Sequence, residues 1–468
     1  MTSNAIHFGT SGWRAIIADE FNFSGVRLAA AAIAERVRKQ NSSPTVLVGY
    51  DTRFFSEEFA RAAGEVLRGR RVRVLFCERA TPTPAIAHEI RRRKLDGAIN
   101  ITASHNPAEY NGLKFSGPDG GPALPEVTRE IEAIAARLGE VEAPDDEQGE
   151  KFEVVDPREA YLMRLAELVR FDTIRSARLS FVCDALHGCG AGYLDAALAT
   201  HGVEVTALRT ERDVLFDGAG PDPSEENLLP LRKAVIEQGG QAGLATDGDA
   251  DRFGILDRDG SFVSPNHILA LLFDYLVETR GWKLGAARSV ATTHLLDAVA
   301  RHHGLPLYET PVGFKYIGAL IQQDKLTIGG EESAGLTIRG HVPEKDGILA
   351  CLLVAEMIAA RRVALSVQLR ELFRRAGGEY WPIRVNLHLP EPVQSQLKER
   401  LAREPKEFGG RRVTRLDRTD GLKLVLEDGS WVLLRPSGTE PLIRIYAEAA
   451  SPSASNQLAV EARQWICG

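Results

Sequence analysis

A serine followed by histidine, asparagine and proline is the first group along the chain that could do chemistry. Residues 102–107 spell Thr-Ala-Ser-His-Asn-Pro and follow an apolar stretch, residues 97–101, that is typical of a buried strand. The proline ends that strand, so Ser104 is expected in an exposed loop at its C-terminal end, where α/β folds place their chemistry. A serine becomes a useful nucleophile when a neighbour takes its proton or a cation stabilises its oxygen. The other motifs are therefore candidates for the surroundings of Ser104.

Three aspartates at alternate positions, Asp247, Asp249 and Asp251, stand between two short apolar stretches. Carboxylates this close repel one another unless a cation lies among them, and their hard oxygens favour Mg²⁺ or Ca²⁺ over Zn²⁺. The spacing begins like a helical Ca²⁺ loop, but Arg252 stands where that loop needs glycine and Arg258 where it needs glutamate. The pattern predicts a Mg²⁺ site with positions open to phosphoryl oxygens, and a charged surface turn is the alternative.

Two acids and a hydroxyl form a third polar group. Glu331, Glu332 and Ser333 follow an apolar stretch, residues 326–330, that is typical of a strand. Carboxylates and a hydroxyl at a strand end can accept and donate hydrogen bonds to sugar hydroxyls. Acids also belong at the N-terminus of a helix, so a helix start is the alternative.

A phosphate-sized cradle is predicted near the C-terminus. Residues 435–441, Arg-Pro-Ser-Gly-Thr-Glu-Pro, stand between two strand-like stretches, 430–434 and 442–448. A glycine lets the backbone approach a ligand, hydroxyls and amides donate hydrogen bonds, and arginines add charge and bidentate geometry. A plain turn between strands is the alternative. The candidate ligands are Arg435, Ser437, Gly438, Thr439 and Arg444.

Two further basic residues could act on a phosphate. Arg14 ends a polar turn, residues 9–14, and its planar guanidinium suits phosphate, although an ordinary hairpin turn explains it too. Lys114 follows ten residues after Ser104, and a lysine whose pKa is lowered by nearby cations can exchange protons with a hydroxyl. A surface lysine is the alternative. The glycine-rich stretch 187–192 lacks the glycine spacing and the later acid of a dinucleotide site, which favours a structural turn.

Helical and strand-like stretches alternate along most of the chain. Residues 25–40 have apolar side chains at helical spacing, residues 45–49 are strand-like, and a helix is predicted at 56–68 with Ser56 as its N-cap. Such alternation predicts an α/β fold with mostly parallel sheets and helices on both faces. The acidic segment 143–150, with proline and glycine, is predicted to link the first such series to the second.

Size and composition indicate a soluble protein with several cores. The chain has 468 residues, of which 44% are hydrophobic and 26% charged. The net charge of −7 gives no overall basic field for nucleic acid. The predicted domains are 1–150, 151–257, 258–376 and 377–468.

No targeting or membrane segment is predicted. The first thirteen residues have no apolar run of the kind a secretory signal needs. Residues 347–360 are apolar but too few to span a bilayer and are interrupted by Glu356, so a buried helix is predicted there. The five cysteines have no paired spacing, which favours free thiols in a reducing cytoplasm.

Taken in order, these motifs resemble those of the α-D-phosphohexomutase superfamily. Residues 102–107 resemble its phosphoserine loop, 247–252 its metal loop, 330–333 its sugar loop and 435–439 its phosphate loop. The opening turn, residues 9–14, matches as well, so the resemblance covers essentially the whole chain. It implies four domains around a central cleft, three related αβα mixed-sheet domains and a smaller C-terminal α+β domain.

The resemblance also implies a mechanism. Ser104 would be phosphorylated, and its phosphoryl oxygen would hold Mg²⁺ together with Asp247, Asp249 and Asp251. The phosphoryl group would pass to the free hydroxyl of a hexose phosphate, and the resulting glucose 1,6-bisphosphate would turn over and return its other phosphate. Proton transfer would fall to Lys114, with His105 as a further catalytic residue nearby, and charge stabilisation to Arg14 and Arg252. The implied substrate-binding residues are Glu331, Ser333, His341, Lys345, Lys315, Arg435, Ser437, Gly438, Thr439 and Arg444.

Substrate preference is predicted from Glu332. The glucose-specific members carry this sugar-loop sequence, whereas dual mannose/glucose members tend to carry Met at that position and phosphoglucosamine mutases Gln. The resemblance therefore implies interconversion of glucose 1-phosphate and glucose 6-phosphate. The alternatives are a bifunctional phosphomannomutase/phosphoglucomutase and a metal-dependent sugar phosphatase. We expect hexose phosphates as the partners, no nucleic acid or membrane, and a monomer or weak homodimer in the cytoplasm.

Overall fold

Four sheets follow one another along the computed structural model, which describes residues 6–9, 11–142, 152–437 and 442–468. The first three sheets are mixed and carry helices, and the last is antiparallel. This is the predicted α/β architecture with a different C-terminal domain. The segment predicted as a linker, residues 143–150, lies outside the described residues.

The first sheet holds the strand that precedes Ser104. Its elements are β1 (Trp13–Ile16), α1 (Phe23–Gln40), β2 (Thr45–Tyr50), α2 (Ser56–Gly69), β3 (Arg73–Cys77), α3 (Thr83–Arg93), β4 (Gly97–Ile101), β5 (Tyr110–Ser116), α4 (Pro125–Leu138) and β6 (Glu153–Val155). The strand order is β1-β5-β4-β2-β3-β6, so β4 lies inside the sheet. All of β4 is buried, which explains its continuous apolar sequence. The edge strand β6 pairs with β3 of this sheet, although it lies past residue 150, the domain boundary predicted from the sequence.

The second sheet carries the three aspartates in a hairpin. Its elements are α5 (Arg158–Leu168), α6 (Phe171–Ala177), β7 (Ser180–Asp184), α7 (Leu194–Thr200), β8 (Glu204–Leu208), a 3₁₀ turn (Phe216–Gly218), α8 (Leu229–Gln238), β9 (Ala242–Thr246), β10 (Phe253–Asp257) and β11 (Phe262–Val263). The strand order is β11-β10-β9-β7-β8, with β9 and β10 antiparallel. Since Thr246 pairs with Phe253, the aspartate loop is the turn between these two strands. The sheet continues to Val263, past the boundary drawn at residue 257.

The third sheet presents the predicted sugar loop. Its elements are α9 (Pro265–Arg280), β12 (Gly285–Ser289), α10 (Leu295–His303), β13 (Leu307–Thr310), α11 (Phe314–Gln322), β14 (Leu326–Glu331), β15 (Gly335–Ile338), α12 (Gly347–Arg361) and α13 (Leu365–Ala376). The strand order is β13-β12-β14-β15. Glu331 pairs with Gly335 across the antiparallel pair β14 and β15, so the loop is a hairpin turn. The alternative of a helix start at this loop is therefore wrong.

The fourth sheet presents the predicted phosphate loop. Its elements are β16 (Trp381–His388), α14 (Glu391–Ala402), β17 (Glu407–Phe408), β18 (Arg411–Asp417), β19 (Leu422–Leu426), β20 (Trp431–Pro436), β21 (Leu442–Ala449) and α15 (Pro452–Cys467). The strand order is β16-β21-β20-β19-β18-β17. The predicted strands at 430–434 and 442–448 are confirmed as β20 and β21, which pair antiparallel on either side of the loop.

Helix α12 joins the second and third domains. It begins after Asp346, whose side chain accepts a hydrogen bond from the amide of Leu349 (2.8 Å), and its residues 347–359 are buried. The helix packs on α6, β9 and β10 of the second domain and on α9 and β15 of the third. The predicted buried helix is confirmed. Within the described residues, no helix combines the length and the apolar character that crossing a membrane requires.

One local prediction is wrong. Ser56 was expected to cap α2, but it is the first residue of the helix and follows Phe55, whose φ is +58°. Its hydroxyl donates instead to Asp51 Oδ1 at 2.7 Å. The five cysteines are free thiols, and all except Cys467 are buried.

A buried glutamate provides a test of the contact between the second and third domains. Glu356 in α12 is fully buried and accepts hydrogen bonds from Tyr275 Oη (2.6 Å), Arg280 Nη2 (2.7 Å) and the amide of Arg170 (2.8 Å). Removing it deprives a buried arginine of its carboxylate partner, so Glu356→Ala should lower the free energy of unfolding of this unit by about 3–5 kcal/mol. Urea denaturation followed by circular dichroism measures the change.

A matched substitution on the surface controls for helix effects. Glu371→Ala removes an exposed carboxylate of α13 that pairs with Arg374, and it should leave the unfolding midpoint unchanged. An unchanged midpoint in Glu356→Ala would contradict the structural role assigned to Glu356.

Candidate active site

Ser104 lies just past the C-terminal end of β4, as predicted, but the residue is only 1% exposed. The expectation of an exposed loop is wrong because the second domain covers it: Ser104 Oγ donates to Asp247 Oδ2 at 2.7 Å. The backbone of Ser104 has φ +54°, a conformation that costs energy in a non-glycine residue, and its amide donates to Thr102 Oγ1 at 2.9 Å. A Cβ on Gly248 would lie 2.6 Å from the carbonyl oxygen of Ser104, so the glycine permits this close approach.

An arginine that the sequence did not single out holds the Ser104 loop. The guanidinium of Arg53 is fully buried, and its Nε lies 3.1 Å from Asp51 Oδ2. It donates to main-chain oxygens of Ser104 (2.6 Å), Asn106 (2.6 Å), Pro107 (2.7 Å) and Tyr110 (3.0 Å). Backbone acceptors leave no trace in a sequence, and the only signal was a pair of opposite charges directly after β2. This arginine fixes the strained loop in one conformation.

The three aspartates form a buried acidic cluster. Asp247, Asp249 and Asp251 are each 0% exposed, and an oxygen of each lies within 4.8 Å of the others. Burial, with Asp249 and Asp251 adding to it, raises the pKa of Asp247 well above its usual value. Among the described residues, Asp249 Oδ1 and Asp251 Oδ1 have no hydrogen-bond partner although both are buried. Unpaired hard oxygens at this spacing fit Mg²⁺.

Two lysines from other domains neutralise the cluster. Lys114 Nζ donates to Asp249 Oδ2 (2.5 Å) and Asp251 Oδ2 (2.8 Å), and Lys345 Nζ donates to Asp251 Oδ2 (2.7 Å). Burial alone would lower the pKa of Lys114, but Asp249 and Asp251 outweigh it and the pKa is raised. The expected lowering by nearby cations is wrong, because the nearest charges are carboxylates. The stem of Lys345 packs against Gly335, where a Cβ would collide with Lys345 Cδ.

Two of the predicted catalytic residues, Arg14 and His105, lie at the Ser104 loop. Arg14 Nη1 donates to Asn106 Oδ1 at 2.8 Å, and burial together with Arg252 lowers the pKa of Arg14. The Nδ1 atom of His105 lies 3.4 Å from Ser104 Oγ. Burial, Arg252 and Arg14 hold the pKa of His105 well below its usual range, so its imidazole is neutral at pH 7. The structure thus brings a neutral imidazole to Ser104 Oγ and a guanidinium to its loop, while the amide of Arg252 donates to Asp247 Oδ1 at 2.9 Å.

The sugar loop places two acids side by side in different environments. Glu331 is 6% exposed, and its Oε1 accepts from the amide of Gly313 at 2.7 Å. Burial and the neighbouring Glu332 raise the pKa of Glu331 to about 7. Glu332 Oε2 accepts from Ser289 Oγ (3.0 Å) and Thr292 Oγ1 (3.2 Å), so the third domain itself holds this carboxylate.

Three other predicted substrate-binding residues differ in how deeply they are buried. Ser333 is half-buried in the β14–β15 turn, and Lys315 is half-buried in the first turn of α11, where burial lowers its pKa. The side chain of His341 is inaccessible, and its Nε2 lies 2.7 Å from Asp346 Oδ2. Asp346 holds the imidazole against the start of α12, and a contact between His341 and substrate stays a prediction.

The phosphate loop is described in part. Arg435 and Arg444 are opposite residues of β20 and β21, so their side chains lie on the same face of the sheet. Ser437 follows β20 directly. Gly438 and Thr439, also predicted to bind phosphate, lie outside the described residues.

A single aspartate connects the phosphate loop to the sugar loop. Asp420 Oδ2 accepts from Arg435 Nε at 2.9 Å and from the amide of Val312 at 3.1 Å. The next amide, that of Gly313, donates to Glu331. Asp420 therefore orients Arg435 and ties the fourth domain to the segment that holds Glu331. No sequence pattern pointed to this aspartate, because Val312 is 108 residues away along the chain and Arg435 is 15 residues away in a different strand.

Known family profiles match four stretches of the chain. They are the Phosphoglucomutase/phosphomannomutase alpha/beta/alpha domain I over residues 5–142, domain II over 159–260 and domain III over 264–376, and the C-terminal domain over 385–464. These matches define the class as the α-D-phosphohexomutase superfamily of isomerases. Within it, the chain belongs to the phosphoglucomutase/phosphomannomutase family.

Relatives with several substrate names are similar over almost their full length. A phosphoglucomutase/phosphomannomutase of Thermococcus kodakarensis is 32% identical, with 95% of this chain and 94% of that protein aligned. A phosphoglucosamine mutase of Thermobifida fusca is 30% identical, with 97% and 96% aligned. A crystal structure from Thermus thermophilus, assigned provisionally as a phosphomannomutase, has a TM-score of 0.88 at 33% identity and covers 100% of both chains.

The acidic cluster predicts binding of one Mg²⁺ per chain at this site. Mg²⁺ at a hundred times its dissociation constant should stabilise the protein by about 2.7 kcal/mol, because only the folded chain assembles the three carboxylates. Asp249→Asn should weaken binding strongly, whereas Asp259→Asn, an exposed aspartate of the same domain, should not. Isothermal titration calorimetry measures both, and equal Mg²⁺ affinity in Asp249→Asn and the wild type would contradict the assignment.

The role of Asp420 predicts a loss of substrate binding. Asp420→Ala removes a hydrogen bond to a charged group, worth roughly 1.5–3 kcal/mol, so kcat/KM for a hexose phosphate should fall about 10- to 100-fold, mainly through KM. Asp420→Asn, which keeps an acceptor oxygen, should lose less. Glu427→Ala, in an exposed turn of the same domain, is the control, and a fall in kcat alone would contradict the positioning role.

Proposed function

We propose that this protein interconverts glucose 1-phosphate and glucose 6-phosphate through a phosphoserine at position 104. The observation that supports this most directly is the 2.7 Å hydrogen bond from Ser104 Oγ to Asp247, inside a buried cluster with two unpaired carboxylate oxygens. A hydroxyl held among metal-binding groups, guanidinium groups and ammonium groups suits phosphoryl transfer, which depends on positioning and charge neutralisation.

The proposed reaction begins with a phosphorylated Ser104. The bond between phosphorus and Ser104 Oγ breaks, and phosphorus bonds to the free hydroxyl oxygen of the bound sugar phosphate. That hydroxyl gives up its proton and Ser104 Oγ regains one. His105, held neutral beside this oxygen, can accept a proton, and Lys114, held as an ammonium, can donate one.

A metal ion completes the charge balance. Asp247, Asp249, Asp251 and an oxygen of phosphorylated Ser104 would hold Mg²⁺, which when bound neutralises charge on the transferring group. Arg14, which donates to Asn106 in the Ser104 loop, and Arg252, whose amide donates to Asp247 Oδ1 at 2.9 Å, would add positive charge.

The other two loops would hold the sugar in either orientation. Glu331 and Ser333 would grip two hydroxyls, and Arg435, Ser437 and Arg444 would hold the phosphate that is not reacting. Gly438 and Thr439 are proposed as further phosphate ligands from the sequence. Because the intermediate bears two phosphates, the same phosphate loop can hold the non-reacting phosphate in both half-reactions, once the sugar has reversed its orientation in the site.

The second candidate is a bifunctional enzyme that also accepts mannose phosphates. Glu332 is the residue that suggested glucose preference, yet Ser289 and Thr292 already engage its carboxylate. A carboxylate held by the protein discriminates less between sugar epimers than one that binds the sugar. The name of the Thermococcus kodakarensis relative also includes both activities.

A parallel assay tests the proposal. With Mg²⁺ and a trace of glucose 1,6-bisphosphate, kcat/KM should be highest for glucose 1-phosphate, compared with mannose 1-phosphate and glucosamine 1-phosphate. Ser104→Ala should abolish turnover while substrate binding, measured by calorimetry, persists. Ser176→Ala, an exposed hydroxyl of the second domain, should leave turnover intact.

Each other outcome has a definite meaning. Equal use of mannose 1-phosphate would support the bifunctional candidate. Release of inorganic phosphate without isomerised sugar would indicate a phosphatase. Full turnover by Ser104→Ala would refute the phosphoserine.

A further inference from the structure

A second cluster of metal-ligating side chains lies outside the proposed active site. It comprises His187, in the glycine-rich turn after β7, and Asp213 and Asp217, in the loop after β8. One ligand atom from each lies within 4.8 Å of the others. His187 is 4% exposed, and its Nε2 lies 3.1 Å from Asp217 Oδ2.

The histidine is oriented as a metal ligand would be. Its Nδ1 lies 3.0 Å from the carbonyl oxygen of Glu211. A carbonyl only accepts hydrogen bonds, so Nδ1 carries a proton, and in the neutral form of the ring the lone pair is at Nε2. That Nε2 is buried and faces Asp217 Oδ2 at 3.1 Å, the one contact it has among the described residues. A backbone carbonyl fixing the other ring nitrogen is the usual support for a metal-binding histidine.

The carboxylates are also fixed in place. Asp213 Oδ1 accepts from the amide of Leu215 and Oδ2 from the amide of Asp217, both at 2.9 Å, which leaves a lone pair on each oxygen. Arg209 lies close by, with its Nη1 3.9 Å from Asp217 Oδ2, but its Nε donates to Asp184 Oδ1 at 2.9 Å. Oxygens of two carboxylates and one imidazole nitrogen therefore lie close enough together to share one cation.

We propose that His187, Asp213 and Asp217 form a second cation site, for a first-row divalent ion with affinity for imidazole such as Zn²⁺ or Co²⁺. The nitrogen donor disfavours Mg²⁺ and Ca²⁺, which prefer oxygen ligands. Without a cation the same ring can take a proton and pair with Asp217, so protons and metal compete for Nε2.

A cation bound here would restrict the movement of the 213–217 loop, which contacts the Ser104 loop through Arg53. The loop between Asp213 and Asp217 carries Phe216, whose ring centre lies 5.2 Å from the guanidinium carbon of Arg53. Arg53 in turn holds the carbonyl of Ser104. The hydroxyl of Thr52 donates to the carbonyl of His187 at 2.8 Å, so both sides of the cation site contact the first domain.

Zinc binding to the full chain tests the proposal by equilibrium dialysis with elemental analysis. With Zn²⁺ as the sole divalent ion, the metal-free wild type should bind two: one at the acidic cluster, which accepts Zn²⁺ when no Mg²⁺ competes, and one at His187. His187→Gln should keep only the Zn²⁺ at the acidic cluster. The double variant Asp247→Asn, Asp249→Asn should keep only the Zn²⁺ at His187, and the triple variant should bind none. His201→Gln is the matched control, since His201 lies in the same domain with Nδ1 on the carbonyl of Ala197, and it should bind two.

A spectroscopic measurement and a second variant exclude a folding artefact. Co²⁺ added to the double variant should give visible absorption of a nitrogen-ligated ion, and His187→Gln should remove it. If His187→Gln does not fold, Asp217→Asn must lose the same one Zn²⁺ per chain. The Asp217 side chain is 53% exposed, so this substitution should not disturb folding. Unchanged Zn²⁺ content in His187→Gln or in Asp217→Asn, or a single Zn²⁺ in the wild type that depends on Asp247 and Asp249 alone, would overturn the proposal.

Discussion

Three carboxylates buried within 4.8 Å of one another are the constraint on which the rest of the structure depends. Like charges removed from water must be neutralised, and the cations come from different domains. Lys114 belongs to the first, the cluster itself to the second and Lys345 to the third. Ser104 adds a further hydrogen bond from the first domain. The acidic loop therefore draws three domains together at the point where a phosphoryl group would be transferred.

The fourth domain is connected to this centre through the third. Lys423, which is buried, donates to the carbonyl of Val290 at 2.7 Å, and Glu448 accepts from the amide of His294 at 2.9 Å. Asp420 adds the contact between Arg435 and the segment before α11. These contacts connect the phosphate loop to the sugar loop through the third domain.

Side chains at strand ends could be predicted from the sequence, because an apolar run followed by polar residues marks the edge of a sheet. Ser104 and Asp247 were located in this way. Long-range partners were not predictable, because Arg53 binds backbone oxygens and Asp420 contacts a residue of another domain. The predicted boundaries also missed β6, which pairs with β3 of the first sheet, and β11, which pairs with β10 of the second. His341 shows a second limit, since a motif gives a position but not the direction in which a buried side chain points.

The central claim is that Ser104 carries the phosphoryl group, and the most direct measurement is peptide mapping after incubation with Mg²⁺ and radiolabelled glucose 1,6-bisphosphate. We predict label on the peptide that contains Ser104 and its transfer to sugar when unlabelled glucose 6-phosphate is added. Label on a different peptide, or label at Ser104 that passes to water and never to sugar, would contradict this claim.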